Sequence, residues 1–131
     1  MAKRGYTFIV LAIVIAVVFA GIVYYSYQYA VESEARISSE KAKELLKSKK
    51  IDLVLDVRTG AERDTLGYYP GSVHIQSADL EKRMAQEYPN KNAHILIYCN
   101  TGHRARMAAD KLRGLGYKNA VYISSTYKSL I

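Results

Sequence analysis

"AHILIYCNTGHRARMAADKLRGLGYKNAVYI", residues 93–123, is the stretch whose reading decides the fold. It opens on an apolar run, Ile95 to Tyr98, that is too short for a helix and too continuous for a half-exposed strand. Such a run is a strand buried on both faces. It ends at Cys99, the single cysteine of the chain. A short polar loop with Gly102 follows. Next comes a helix with Met107, Ala108, Leu112 and Leu115 inward, stopped by Gly114 and Gly116. "NAVYI" is then another strand. Strand, loop, helix and strand in this order form the crossover unit of a parallel sheet.

Upstream, the alternation continues. "ISSEKAKELLKSKK" is a helix that Ser38 caps, with Glu40 in its first turn and Ile37 stapled onto Ala42. "IDLVLDVR" is a buried strand, and "GYYPGSVHI" is a turn at Pro70-Gly71 leading into a short strand. "ADLEKRMAQEY" is a helix with Leu80, Met84 and Tyr88 on one stripe. The expected domain is α/β, with a mostly parallel central sheet flanked by helices.

The first thirty residues are of another kind. No charged side chain occurs from Gly5 to Val31, and the run is apolar all round rather than striped. About 20 such residues cross a ~30 Å hydrocarbon core. Tyr24, Tyr25, Tyr27 and Tyr29 crowd the far end and Tyr6 the near end, as at a membrane interface. The expected division is a basic N-terminus (1–6), a transmembrane helix (7–29), a connector (30–36) and the domain (37–131). A cleaved signal sequence, cut at "VFA" (Val18–Ala20), is the competing reading. It would leave the apolar "GIVYY" as a new terminus. Lys3 and Arg4 put the N-terminus inside and the domain outside the cytoplasm. The opposing Lys41, Lys43, Lys47, Lys49 and Lys50 belong to a folded helix and count for less. A single-pass protein with an extracytoplasmic domain and the lipid bilayer as partner is expected.

The net charge of +7, from 19 basic and 12 acidic residues, is interleaved rather than massed. No nucleic-acid module is present in the pattern, so no nucleic-acid partner is expected. One cysteine excludes internal disulfides. His74 and His94 have no ligand-like spacing with Cys99, so no metal is expected.

Cys99 stands at the carboxyl end of a buried strand, where open α/β sheets place their ligands. Gly102 permits a positive φ, and the turn feeds a helix N-terminus, so backbone N–H groups converge as an anion cradle. A thiolate gains from both the helix end and Arg104. Against this stands the ordinary role of a free cysteine as a small core residue.

"YCNTGHRARMAADKLRGLGYKNAVYI" resembles the active-site strand, loop and helix of rhodanese-like sulfurtransferases, a strand ending in Cys-x-x-Gly-x-Arg. "DVRTGAERDTLGYYPGSVHI" resembles the family's second signature: an Asp-Val-Arg start, an acidic residue four on (Glu62), and a Gly-x-x-Pro-Gly turn. The likeness spans nearly all of Ile37 to Ile123. It departs at Tyr68, where the family has histidine, at Arg63, where an aromatic is common, and at Ser124-Ser125, where two glycines are usual.

The resemblance implies a single-domain thiosulfate sulfurtransferase. Cys99 would take a sulfane sulfur from thiosulfate or a persulfide donor and pass it to cyanide, a small thiol or a protein acceptor. Asn100, Thr101, Gly102, His103 and Arg104 would hold the substrate. Arg104 would bind the anionic end of the donor, and Arg106 would either face the entrance or be a charge on the helix surface. Asp56 and Arg58 would brace the loop.

Two other classes compete. A membrane-tethered persulfide carrier or partner-binding module would keep the cysteine without turnover. A cysteine phosphatase or arsenate reductase typically has its arginine six residues after the cysteine. Here residue 105 is alanine and Arg104 is five away, a shorter loop that suits sulfur.

Overall fold

The computed structural model describes residues 2–131. Its first element, α1 (Ala2–Val31), is one unbroken helix that takes in Lys3 and Arg4 as well as the apolar run. Met1, the first residue of the expected basic N-terminus, lies outside the described residues. Phe8, Ile13, Phe19 and Val23 all stand exposed around its circumference. It is long and apolar enough to cross a membrane. Only its last two turns meet the rest of the chain, where Ala30 is 2% exposed.

α2 (Ser39–Lys47) starts at Ser38, whose hydroxyl accepts from the Lys41 N–H at 3.1 Å. Ile37 and Ala42 pack in one cluster across that cap, as expected for a staple. β1 (Leu53–Asp56) and β3 (Ile95–Tyr98) are buried at every position, which is why their sequences are continuously apolar. β2 (Val73–His74), α4 (Leu80–Glu87), α5 (His103–Gly114) and β4 (Ala120–Tyr122) complete the alternation. The sheet order is β2-β1-β3-β4, parallel throughout.

One helix was not expected. α3 (Gly60–Leu66) buries none of its residues, so it has no apolar stripe to announce it. It is held by a capping box. The Thr59 hydroxyl accepts from the Glu62 N–H, and the Glu62 carboxylate accepts from the Thr59 N–H. Met107, expected inward, is 53% exposed. The buried face of α5 runs through Ala105, Ala108, Ala109 and Leu112, an i, i+3, i+4, i+7 set that turns Met107 to the opposite side.

The two faces of the sheet divide the core. Leu55, Ile97, Cys99 and the α4 and α5 side chains Met84 and Leu112 fill one side. Val54, Leu96, Tyr98 and Ile123 fill the other, with Ala42 of α2 and Leu130 of a final 3₁₀ turn. The connector is pinned rather than loose. Tyr122 N–H donates to the Ala35 carbonyl at 3.0 Å and Ile37 N–H to the Tyr122 carbonyl at 2.9 Å, a parallel bridge on the edge of β4.

Candidate active site

Parallel pairing of β1 with β3 sets Asp56 beside Tyr98, so the loops after both strands emerge together. Cys99 follows Tyr98 directly and is 1% exposed. The Gly102 N–H donates to its sulfur at 3.1 Å. Gly102 has φ 99°, and a Cβ there would lie 2.7 Å from the Ser124 Cα. Both the backbone conformation and the close approach exclude a side chain. α5 begins at His103, so its first N–H groups have no partner within the helix and its positive end faces the loop.

Beneath the loop lies a buried ionic cluster. Arg58, 1% exposed, grips Asp56 with a fork: Nε to Oδ1 at 2.9 Å and Nη2 to Oδ2 at 2.8 Å. Arg63 adds Nη1 to the same Asp56 Oδ2 at 3.1 Å, and the Tyr98 hydroxyl donates to it at 3.1 Å. Burial pushes the Asp56 carboxyl up, but the bonds from Arg58 and Tyr98 outweigh it and hold the group below its ordinary value. The same burial raises Tyr98. Arg58 also donates to the Gly67 carbonyl at 2.7 Å and reaches the Asn100 Oδ1 at 3.4 Å. Asp56 and Arg58 thus tie the ends of β1 and β3 to the turn that follows α3.

Glu62 is the residue whose part was least legible. Its carboxylate takes a two-pronged pair from Arg104, 2.7 and 2.8 Å, and a third bond from the Asn100 amide at 2.7 Å. The Arg104 guanidinium and the Thr59 cap hold its carboxyl at about 2, against the opposing effect of burial. Arg104 in turn is held more firmly charged, first by Glu62 and further by the sulfur of Cys99. The fork that the sequence reserves for a donor's anionic end is occupied by a carboxylate of the chain itself. The T-x-x-E spacing of Thr59 and Glu62 was the available signal for α3, but nothing local tells which arginine Glu62 will meet.

The remaining predicted residues separate. Thr101 is exposed at the rim of the loop. His103 turns towards α1, with Nδ1 3.0 Å from the Ser26 hydroxyl and its ring 4.7 Å from that of Tyr29. Arg106 lies 3.9 Å over the Tyr29 ring, donates to the Tyr29 carbonyl and pairs with Asp110 at 3.3 Å.

Two clefts flank the loop. One, of about 180 Å³, is lined by Arg58, Leu66, Asn100, Thr126, Tyr127 and Lys128. The other, of about 370 Å³, lies between Thr101 and the α1 residues Ile22, Val23, Ser26, Tyr27 and Ala30.

Residues 38–127 match the family model for the rhodanese-like domain. YrkF of Bacillus subtilis, named as a candidate sulfur carrier protein, is 37% identical over 87 residues, 66% of this chain and 45% of its own length. The thiosulfate sulfurtransferase PspE of Escherichia coli is 30% identical over 63 residues, 48% of this chain and 60% of that one. The chain therefore spans less than two thirds of either relative. Among solved structures, the human single-domain sulfurtransferase TSTD1 superposes with a TM-score of 0.64 at 26% identity. That alignment covers 74% of this chain and 95% of the human one. Fold, cysteine loop and likeness agree: the chain belongs to the rhodanese-like domain family, with sulfurtransferases and a candidate sulfur carrier as its relatives.

Proposed function

We propose that this chain is a membrane-anchored sulfurtransferase working through a persulfide on Cys99. The observation that carries the reading is the Gly102 N–H aimed at the Cys99 sulfur, 3.1 Å away, from the positive end of α5. The thiolate attacks the outer sulfur of thiosulfate. The bond between the two donor sulfurs breaks, and sulfite leaves with the electron pair. The outer sulfur stays on Cys99 as a persulfide anion, held by the amides from Asn100 to Arg104. Cyanide or an acceptor thiolate then attacks that outer sulfur, and the Cys99 sulfur recovers the electron pair as thiolate.

Because Glu62 fills the Arg104 fork, the donor's anionic end goes elsewhere. Lys128, on the smaller cleft, offers a cation beside the loop. Arg104 instead holds the loop in shape from its Glu62 side, while Asp56 and Arg58 brace it from below.

The test uses the full chain in detergent. Thiocyanate forms from thiosulfate and cyanide, the isolated protein gains 32 Da after thiosulfate treatment (one sulfur atom), and Cys99→Ser does neither. Absence of both turnover and adduct sinks the reading. The likeness to YrkF favours a second one, a persulfide carrier, in which the adduct forms but small acceptors do not discharge it.

A further inference from the structure

We propose that the last two turns of α1 are a wall of the Cys99 loop, with Tyr29 as the positioning residue that holds it. The contacts are too many and too specific for a tether. The Ser26 hydroxyl meets His103, the first residue of α5, at 3.0 Å. The Tyr29 ring is shared, 4.7 Å from the His103 ring and 3.9 Å from the Arg106 guanidinium carbon. Arg106 also donates to the Tyr29 carbonyl, one of the C-terminal carbonyls that α1 cannot satisfy itself. Ala30 is 2% exposed, and its Cβ lies 3.4 Å from where a side chain on Gly102 would begin. Its carbonyl accepts from the buried Tyr122 hydroxyl.

Ser26, the Tyr29 ring and Ala30 meet Gly102 and His103, the cap and first residue of α5. Gly102 is also the residue whose N–H meets the Cys99 sulfur. The arrangement is electrostatically consistent: the negative end of α1 abuts the positive end of α5, with the Arg106 cation between them. Further along α1, Ile9, Ile15 and Phe19 are exposed. The helix that can lie in a bilayer therefore also fixes one side of the loop. The connector cannot absorb a change in its orientation, because Ala35 and Ile37 are bonded to Tyr122. The catalytic consequence rests on the sulfur-transfer reading, whereas the mechanical one does not.

Hydrogen exchange on the full chain in detergent separates the two. Tyr29→Ala and Arg106→Ala should each speed exchange in the loop, residues 99–104, by about tenfold, as loss of a stacked and hydrogen-bonded cation would. The β1 and β3 amides should keep their wild-type rates. Tyr29→Phe, which keeps the ring that Tyr29→Ala removes, should restore the loop. The double variant should fall short of the sum of the two singles, because the stack of the Arg106 guanidinium on the Tyr29 ring is common to both. Thiocyanate formation should fall about tenfold in kcat in step with loop exchange, with KM for thiosulfate changing less. If Tyr29→Ala does not fold, Ser26→Ala removes only the hydroxyl contact and should give the same pattern at about threefold. Unchanged loop exchange overturns the proposal, and so does acceleration of loop and sheet together, which is mere destabilisation. Loop loosening in the variants, beside a wild-type chain that moves no sulfur, leaves the wall standing and sinks the function instead.

Discussion

At the scale of single residues, the loop depends on carboxylates that never touch a substrate. Glu62 is drawn down from its ordinary 4.5 to about 2 by Arg104, so the pair's stabilisation is complete above 4.5 and disappears as pH falls towards 2. Arg104 is 37% exposed along its side chain, and solvent screening trims the contribution to about 2 kcal/mol. Glu62→Gln should cost about 1–2 kcal/mol near neutral pH. It should also flatten the loss of stability between pH 4.5 and 2, seen by urea titration across that range. Asp56 is a harsher case, because Arg58 beneath the loop is almost wholly buried. Asp56→Asn leaves that charge uncompensated and should cost about 3–5 kcal/mol in the same assay. Lys128, exposed at the smaller cleft, has no such structural duty. Lys128→Ala should raise KM for thiosulfate by about three- to tenfold with kcat little changed, measured by thiocyanate formation.

The elements themselves were legible in proportion to the apolar surface they bury. β1 and β3 follow from the sequence because burial on both faces forces continuous apolar runs, whereas of the buried face of α5 only Ala108 and Leu112 do. α3 escaped because it buries nothing, and its one mark, the Thr59–Glu62 capping pair, is a two-residue signal. Met107 was misplaced because the close-packed alanines, not the larger side chain, choose which face of α5 meets the sheet. The meetings of Glu62 with Arg104 and of Ser26 with His103 span 42 and 77 residues and have no local signature. Gly102 was readable, since a strand-to-helix turn needs a positive φ, but the neighbour that forbids a Cβ was not. Gly102→Ala should drive a methyl into the Ser124 backbone, cost about 2–3 kcal/mol and nearly abolish sulfur transfer. Gly71 makes the control. It also has a positive φ, 84°, but open space around it. Gly71→Ala should cost about 1 kcal/mol in melting assays and leave transfer intact.

For the whole molecule, charge and placement converge on one end of the sheet. Arg58, Arg63 and Arg104 face Asp56 and Glu62, an excess of one positive charge that a Cys99 thiolate or persulfide anion would balance. The same end of the domain carries α1, so on the anchored reading chemistry would occur close to the bilayer surface rather than at the far pole. The two readings of α1 can be separated physically. Cleavage after Ala20 would keep the docked residues Ser26, Tyr29 and Ala30, yet leave Ile22, Val23, Tyr24 and Tyr25 exposed to water. At roughly 25 cal/mol per Å², that apolar surface is a standing cost that a bilayer removes. The intact helix should therefore remain. The protein should sediment with membranes, resist alkaline carbonate extraction and keep the residues before Gly21. With the N-terminus inside, protease added to the outer face of the membrane should digest the domain and spare the helix. A carbonate-soluble chain beginning at Gly21 would overturn the anchor while leaving the contacts of Tyr29 with the loop in place.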